Sequence, residues 1–154
     1  MERRGRVVAV CTSKRKGTAK RNVGRARLRV DWGIEGDAHA GNWHRQVSLL
    51  AWESIEKMRA KGLNVREGSF AENITTRGLE LHTLPVGTKM RLGSALVEVT
   101  QIGKLCHTKC AIFKRVGDCV MPREGIFVRV LEEGEVAVGD GIEVVSLPQP
   151  EGAQ

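Results

Sequence analysis

The sequence predicts a mostly β fold of one domain, a barrel or a sandwich with one main helix. Three observations support this: short β-rich runs recur along the chain, glycine and proline turn signals separate them, and one segment alone has clear helical spacing of its apolar residues. The chain has 154 residues, of which 41% are hydrophobic, so a single domain has enough apolar side chains for a core.

The first predicted strands lie near the beginning of the chain. Val7–Cys11 is a short run of valine and other small apolar residues. From Arg25 to Trp32 charged and apolar residues alternate strictly, which predicts a half-buried strand with arginines facing outward. Its inward face would consist of Ala26, Leu28, Val30 and Trp32.

The main helix is predicted in "SLLAWESIEKMRAKG", where Ser48 can cap the first turn and Gly62 can end the helix. Its apolar stripe would consist of Leu49, Trp52, Ile55 and Met58. Further along, "TKMRLGSALVEVTQI" predicts two strands joined near Gly93 and Ser94. A hairpin around Gly134 and a last strand are predicted in "IFVRVLEEGEVAVGDGIEVV", followed by a frayed tail.

The charge is uneven. Residues 1–30 carry eleven Lys or Arg and one acid, whereas the remaining chain carries fourteen Lys or Arg and seventeen acids. Such a basic block fits a phosphate group, a nucleic acid or an acidic partner, or else a solvated face. Aromatic residues are only 4%, without tyrosine, which argues against stacking on single-stranded nucleic acid. Apolar runs too short for a signal peptide or a membrane span predict a cytoplasmic protein with no membrane partner.

Three of the four cysteines, Cys106, Cys110 and Cys119, lie within fourteen residues. With His107 they are candidates for a zinc or iron–sulfur site, although a second regular ligand pair is missing. A disulfide between Cys106 and Cys110 is a further alternative under oxidising conditions.

The local sequence favours one reactive thiol. "HTKCAIFKRV" predicts a short helix that places Cys106 at its N-terminus, near Lys104 and Lys109. A helix N-terminus and nearby cations both lower a thiol pKa and favour the reactive thiolate. Cys110, one turn later, is then either a resolving thiol or a packing residue.

Two further polar stretches are candidate ligand sites. Lys14, Lys16 and Lys20 surround Gly17 and suit a phosphate, although the glycine pattern of a P-loop is absent. In "GIEGDAHAGNWHRQ", the side chains of Asp37, His39 and Arg45 lie in a glycine-rich stretch that suits close approach to an anion. A plain polar loop is the alternative.

A third polar stretch, "GSFAENITTRG", groups Asn73 and Thr75 with other polar side chains. The Asn73 amide offers both a donor and an acceptor to the edge of a nucleobase or pterin, or it simply forms a turn.

Three stretches taken in order resemble the MOSC family, the domain found at the C-terminus of molybdenum cofactor sulfurases: "GDAHAG" with "HRQVSLL", then "GSFAENITTRGLEL", then "LPVGTKMRLGSALVEVTQIGKLC". The resemblance implies a MOSC-type β-barrel over residues 5–146, to which the local sequence adds a short helix after the reactive cysteine and a flexible tail over 147–154. It also implies binding of the molybdenum cofactor, a pterin that carries a phosphate.

By the same resemblance Cys106 is the reactive cysteine, Asn73 matches the asparagine of the family's "EN-I" motif, and Lys14 is a phosphate contact. One departure is clear: many members carry an arginine where this chain has Gly103, and the nearest cation is Lys104.

These residues leave several mechanisms open. In the first, Cys106 ligates molybdenum, the basic block holds the cofactor phosphate, and the protein reduces N-hydroxylated compounds as relatives in the family do. In the second, Cys106 carries sulfur as a persulfide received from a pyridoxal-phosphate-dependent cysteine desulfurase, and Cys110 resolves it. The chain shows no pyridoxal phosphate site, so that cofactor would belong to the partner.

Two non-enzymatic alternatives also stand. The same pocket fits a module that binds or delivers the cofactor without turnover. If the resemblance is set aside, the chain is a basic zinc-binding module for nucleic acid, a class disfavoured by its low aromatic content and missing ligand pair.

Overall fold

The computed structural model describes residues 3–104 and 120–148. Within these ranges the chain forms eleven strands and two α-helices. In chain order they are β1 (Arg4–Thr12), β2 (Arg21–Asn22), β3 (Arg25–Arg29), β4 (Gly33–Ile34), β5 (Val47–Ala51), α1 (Trp52–Ala60), β6 (Ile74–Arg77), β7 (Lys89–Leu92), β8 (Ala95–Ile102), α2 (Met121–Glu124), β9 (Ile126–Glu132), β10 (Gly134–Ala137) and β11 (Gly141–Ser146). A single 3-10 turn, Leu81–Thr83, lies between β6 and β7.

Seven strands close into a barrel in the order β1, β11, β7, β8, β9, β5, β6 and back to β1. All neighbours are antiparallel except β5 and β6, which run parallel and are connected through α1. The short strand β2 pairs antiparallel with the last two residues of β1, and β10, β3 and β4 form a separate small sheet. The predicted mostly β barrel with one main helix is therefore confirmed. The helix predicted after Cys106 falls outside the described residues.

Two apolar clusters hold this architecture together. The barrel interior is filled mainly by β-branched and leucine side chains from all seven strands, among them Val7, Leu49, Ile74, Met90, Val97, Val128 and Ile142. The second cluster packs α1 against the outside of the barrel and contains Leu50, Ile55, Met58, Phe70, Met121 and Phe127. Because β5 contributes to both clusters, all five of its residues are buried.

The predicted start of the main helix is wrong. Val47–Ala51 is a strand, the helix begins at Trp52, and no side chain caps it, so Ser48 is not the helix cap. Leu49 lies in the barrel interior and does not join the helical stripe, whereas Ile55 and Met58 are buried as predicted. A continuous apolar run cannot be assigned to helix or strand by periodicity, and the fully buried β5 is such a run.

The alternating strand is shorter than predicted. β3 ends at Arg29, and Asp31 adopts a left-handed φ of 54° that turns the chain back into β4. Val30 and Trp32 are consequently half-exposed, at 48% each, instead of facing the core.

The predicted hairpin around Gly134 is also wrong. β9 pairs with β8 and β5, whereas β10 leaves the barrel and pairs with β3. A Cβ atom at Gly134 would lie 2.6 Å from the backbone of Ala95. The glycine therefore marks the point where the chain crosses between two sheets at close backbone approach.

Among the described elements, none is a helix with the length and apolar character that crossing a membrane requires.

Candidate functional site

A small pocket opens at one end of the barrel and collects side chains from five separate segments. It is lined by His39, Arg45, Ser48, Ala71, Asn73, Lys104, Met121 and Phe127, and its volume is about 20 Å³. Four predicted site residues, His39, Arg45, Asn73 and Lys104, are thus brought together. Lys104 and Met121 stand on either side of residues 105–119, which hold Cys106 and Cys110 and lie outside the described residues.

Lys20 contacts the pocket residue His39, and its side chain does not contact solvent. Its ammonium group donates to Asp37 Oδ1 at 2.8 Å and Ser13 Oγ at 2.9 Å, and it lies 3.0 Å from His39 Nδ1. The side chains of Lys20 and Asp37 are both fully buried. Burial alone would raise the Asp37 pKa, but hydrogen bonds from Lys20 and from the backbone N–H groups of Ser13 and His39 hold it below its usual value. Lys20 is therefore half of a buried ion pair and not a surface phosphate contact.

The other two predicted lysines, Lys14 and Lys16, are exposed on the loop after β1. Lys16 Nζ lies 5.5 Å from the centroid of the Trp43 ring, on the side of the loop that approaches Arg45. Lys14 is not one of the described residues that line the pocket.

Arg45 is held between two aromatic rings. Its guanidinium carbon lies 4.6 Å from the Trp43 centroid and 5.7 Å from the Phe127 centroid. Its Nε–H is buried and has no hydrogen-bond partner among the described residues. An unsatisfied buried donor costs about 1–3 kcal/mol, more for a charged group, so this atom marks a position where an acceptor is required.

Asn73 occupies the pocket floor and links three strands. Its Oδ1 accepts from the backbone N–H of Ser48 at 3.0 Å and from its hydroxyl at 3.2 Å, while Nδ2 donates to the Cys11 carbonyl at 3.0 Å. The amide has a second Nδ2–H, which leaves a single donor for a ligand. Asn73 is thus mainly a structural bridge between β1, β5 and β6.

Thr75 is not among the residues that line the pocket. Its hydroxyl donates to Glu72 Oε2 at 2.7 Å. The fully buried Glu72 also accepts from the backbone N–H groups of Gly68 and Phe70. Burial raises the pKa of this carboxyl group. Burial, together with the charges of Glu72 and Glu67, raises the pKa of the Cys11 thiol to about 12, so Cys11 is the inert buried residue that its apolar context indicates.

Much of the basic block is neutralised. The outward arginines of β3 pair with acids: Arg27 lies 3.0 Å from Glu133, Arg25 lies 4.0 Å from Glu135, and Arg29 contacts Glu35. By contrast, none of Lys14, Lys16, Arg45 and Lys104 forms an ion pair with a described carboxylate. Arg45 and Lys104 therefore bring positive charge to the pocket that no described carboxylate neutralises, and Lys14 and Lys16 add to it from the loop after β1.

The backbone at Gly103 leaves no room for the arginine that the resemblance would place at this position. Its φ is +69°, and a Cβ atom would lie 2.1 Å from the Pro122 carbonyl oxygen. No side chain fits there unless α2 moves.

We expect Gly103→Ala to destabilise the fold by more than the roughly 1–2 kcal/mol that a left-handed backbone costs alanine, because a steric clash is added. Gly139→Ala is the matched control, because Gly139 has a φ of +93° but no atom within 4 Å of its Cβ position. Chemical unfolding of both variants measures the difference; equal losses would show that α2 does not press against Gly103.

Several residues in or next to the pocket could not be predicted from the sequence. Trp43 lies close in sequence to the predicted site residue Arg45, so the sequence contains a signal for it. Phe127 on β9 cannot be distinguished by sequence from an ordinary core residue. Ser13 donates its backbone N–H to Asp37, 24 residues away, and Ser48 donates its hydroxyl to Asn73, 25 residues away. A single sequence holds no signal for contacts of this kind.

Comparisons with known proteins agree with this fold. The curated protein YflK of Bacillus subtilis (strain 168), itself uncharacterised, is 35% identical over 83 residues, which cover 51% of this chain but only 37% of YflK. Among solved structures, YuaD from Bacillus subtilis superposes with a TM-score of 0.75 at 18% identity, covering 92% of this chain and 95% of YuaD. YiiM from Escherichia coli superposes with a TM-score of 0.67 at 22% identity, covering 97% of this chain and 73% of YiiM.

Both structural likenesses, at these low identities, establish the fold. The family itself is established by sequence, since the model of the MOSC domain matches residues 36–143, well over half of the chain. The protein belongs to the MOSC domain family, whose members are associated with the molybdenum cofactor.

Proposed function

We propose that the pocket binds the phosphate-bearing molybdenum cofactor and that Cys106 ligates the molybdenum. The observation that carries this proposal is the buried Nε–H of Arg45, which has no hydrogen-bond partner among residues 3–104 and 120–148 and lies in a pocket that also contains His39 and Lys104. The buried Asp37 carboxylate, whose Oδ2 lies 4.0 Å from His39 Nδ1, is already paired with Lys20. A group of donors without a free acceptor favours an anion.

The size of the pocket limits what enters it. A volume of about 20 Å³ has room for roughly one water-sized group. An oxygen of an anionic group therefore fits between Arg45 and His39, while the rest of a cofactor would have to lie outside the pocket. Lys16 and Lys14 on the neighbouring loop then supply further positive charge, and the remaining Nδ2–H of Asn73 supplies one more donor.

The role of Cys106 follows from its place in the chain and from the family. Lys104 lines the pocket, and Cys106 comes two residues later. Nearby cations such as Lys104 favour a thiolate, which is the form that ligates metals. When bound, a molybdenum centre supplies two-electron redox chemistry, for which N-hydroxylated compounds are the proposed substrates.

The first experiment is elemental and pterin analysis of protein purified from a host that makes the cofactor. We expect stoichiometric molybdenum in the wild type and its loss in Cys106→Ser, because serine offers no soft thiolate. Cys110→Ser is the matched control and should retain the metal. The same host without cofactor synthesis should yield protein without molybdenum.

Other outcomes would replace this proposal by a specific alternative. A persulfide on Cys106 without molybdenum would indicate a sulfur carrier served by a pyridoxal-phosphate-dependent desulfurase, with Cys110 as the resolving thiol. Bound molybdenum without turnover of N-hydroxylated substrates would indicate a cofactor-binding or delivery module. Zinc that is lost on changing Cys110 or Cys119 would indicate the metal-binding module for nucleic acid.

A further inference from the structure

The Lys20 ammonium group has three N–H donors and three acceptors around it. Asp37 Oδ1, Ser13 Oγ and His39 Nδ1 lie at 2.8, 2.9 and 3.0 Å, and the lysine side chain is fully buried. Lysine has no acceptor to offer in its charged form. All three neighbours must therefore accept.

The proton positions around Lys20 agree with this count. The Ser13 hydroxyl donates its own proton to the Arg15 carbonyl at 2.9 Å, so its oxygen has a lone pair available for Lys20. Asp37 accepts from Lys20 and from two backbone N–H groups, as an ionised carboxylate does. Only His39 Nδ1 remains, and it can accept from Lys20 only if it carries no proton.

We propose that Lys20 and Asp37 lock His39 as a neutral imidazole with its proton on Nε2, so that His39 presents a hydrogen-bond donor to the pocket. Lys20 and Asp37 act here as positioning residues. The identity of the ligand rests on the proposed function, whereas the tautomer does not.

The charges that face His39 support a neutral ring. Lys20 lies against Nδ1, Lys104 and Lys16 add positive potential, and Asp37 is the one opposing charge among the described residues that influence it. The Asp37 Oδ2 atom is 4.0 Å from Nδ1, too far for a hydrogen bond, and it already accepts the His39 backbone N–H at 3.0 Å. Burial and the nearby lysines accordingly lower the His39 pKa.

The lock determines which chemical groups the pocket accepts. The Nε–H of Arg45, the ammonium of Lys104, the remaining Nδ2–H of Asn73 and the Nε2–H of His39 are all donors. A fully deprotonated oxyanion, such as a phosphate monoester, satisfies all of them. A ligand group that must itself donate finds no partner among these four and is rejected, because it leaves buried donors facing each other.

Nitrogen NMR of the histidine rings tests this directly. In ¹⁵N-labelled wild type at neutral pH, with the His39 signals assigned by their loss in His39→Gln, Nδ1 should resonate as unprotonated and Nε2 as protonated. Added inorganic phosphate should shift the Nε2 signal and leave the tautomer unchanged. A protonated Nδ1 overturns the proposal, whether or not the protein carries molybdenum, and an Nε2 that phosphate does not move overturns the assignment of His39 as a ligand donor.

Substitutions of Lys20 and Asp37 show whether these residues fix the protonation of His39 or only stabilise the fold. In Lys20→Met the ring should shift toward Nδ1–H or charge at higher pH, and phosphate affinity should fall several-fold. The double variant Lys20→Met/Asp37→Asn removes both charges together and serves where the single variant does not fold. Lys57→Met, which removes a lysine paired with Glu124 on another face, should leave the His39 signals unchanged. In the folded Lys20 variants, an Nε2–H tautomer together with an unchanged pH of His39 protonation overturns the proposed lock. Failure of the wild type to bind the cofactor, with the tautomer intact, overturns the proposed function alone.

Discussion

Lys20→Met is expected to lower the free energy of unfolding by about 3–5 kcal/mol, since it leaves the Asp37 carboxylate buried without its cation. Both side chains are fully buried, so water cannot take over the lost contact without rearrangement of the loops. Urea or guanidinium unfolding at pH 7 measures the loss. A loss below about 1 kcal/mol, the scale of an exposed ion pair, would contradict the buried pair described above.

Arg91→Met is the matched control for that measurement. Arg91 pairs with Glu132 at 3.1 Å, and the two side chains are 43% and 59% exposed, so water solvates the freed carboxylate. We expect a loss of about 1 kcal/mol or less.

The pH dependence of the Lys20→Met loss has a definite sign. The Asp37 pKa is depressed in the folded wild type, so its contribution to stability is present above the ordinary value of 3.8 and disappears as the pH falls through the folded value. In the variant the unpaired, buried carboxyl protonates at a higher pH. The difference in stability between the two proteins should therefore shrink on acidification, and a difference that grows would contradict the pairing.

Arg45→Gln is expected to weaken binding of the anionic ligand by roughly 10- to 150-fold, because a hydrogen bond to a charged group contributes about 1.5–3 kcal/mol. Molybdenum content after purification and the dissociation constant for inorganic phosphate both measure this. Stability should change by no more than about 1 kcal/mol, since the loss of cation–π contact is offset by removal of a charged donor that has no partner.

Two controls make the Arg45 result specific. Arg91→Gln removes an arginine that pairs with Glu132 at the surface, and it should leave both readouts unchanged. Arg45→Lys keeps the charge without the forked donor, and it should give an intermediate loss. If Arg45→Gln lowers stability but leaves phosphate and molybdenum binding intact, Arg45 is a packing residue.

The barrel was predictable because strand signals are local. The junction at Gly93 and Ser94, for example, is visible in a short stretch of sequence and was predicted correctly. The predictions were wrong where strands distant in sequence determine the secondary structure or the pairing of a segment. Val47–Ala51 is a strand because it pairs with β6 on one side and with β9 on the other. β10 does not pair with β9, because it pairs with β3 in the separate small sheet.

Several residues of the site could be predicted from the sequence, but the contacts between them could not. His39, Arg45, Asn73 and Lys104 were selected by residue type, and they do line one pocket. Lys20, in contrast, stands in a basic loop that looks fully solvated. Its partner Asp37 is seventeen residues away, and no local pattern reveals that the pair is buried.

The closure of the barrel has a consequence for the order of folding. β1 pairs with β11 through Arg4–Glu143, Gly5–Ile142 and Arg6–Gly141, so the first and last strands of the described barrel meet at one seam. During synthesis β1 must wait for almost the whole domain before this seam can form, and contacts so distant in sequence make folding slow. Until then the early strands have exposed edges, which makes the nascent chain a candidate for chaperone binding.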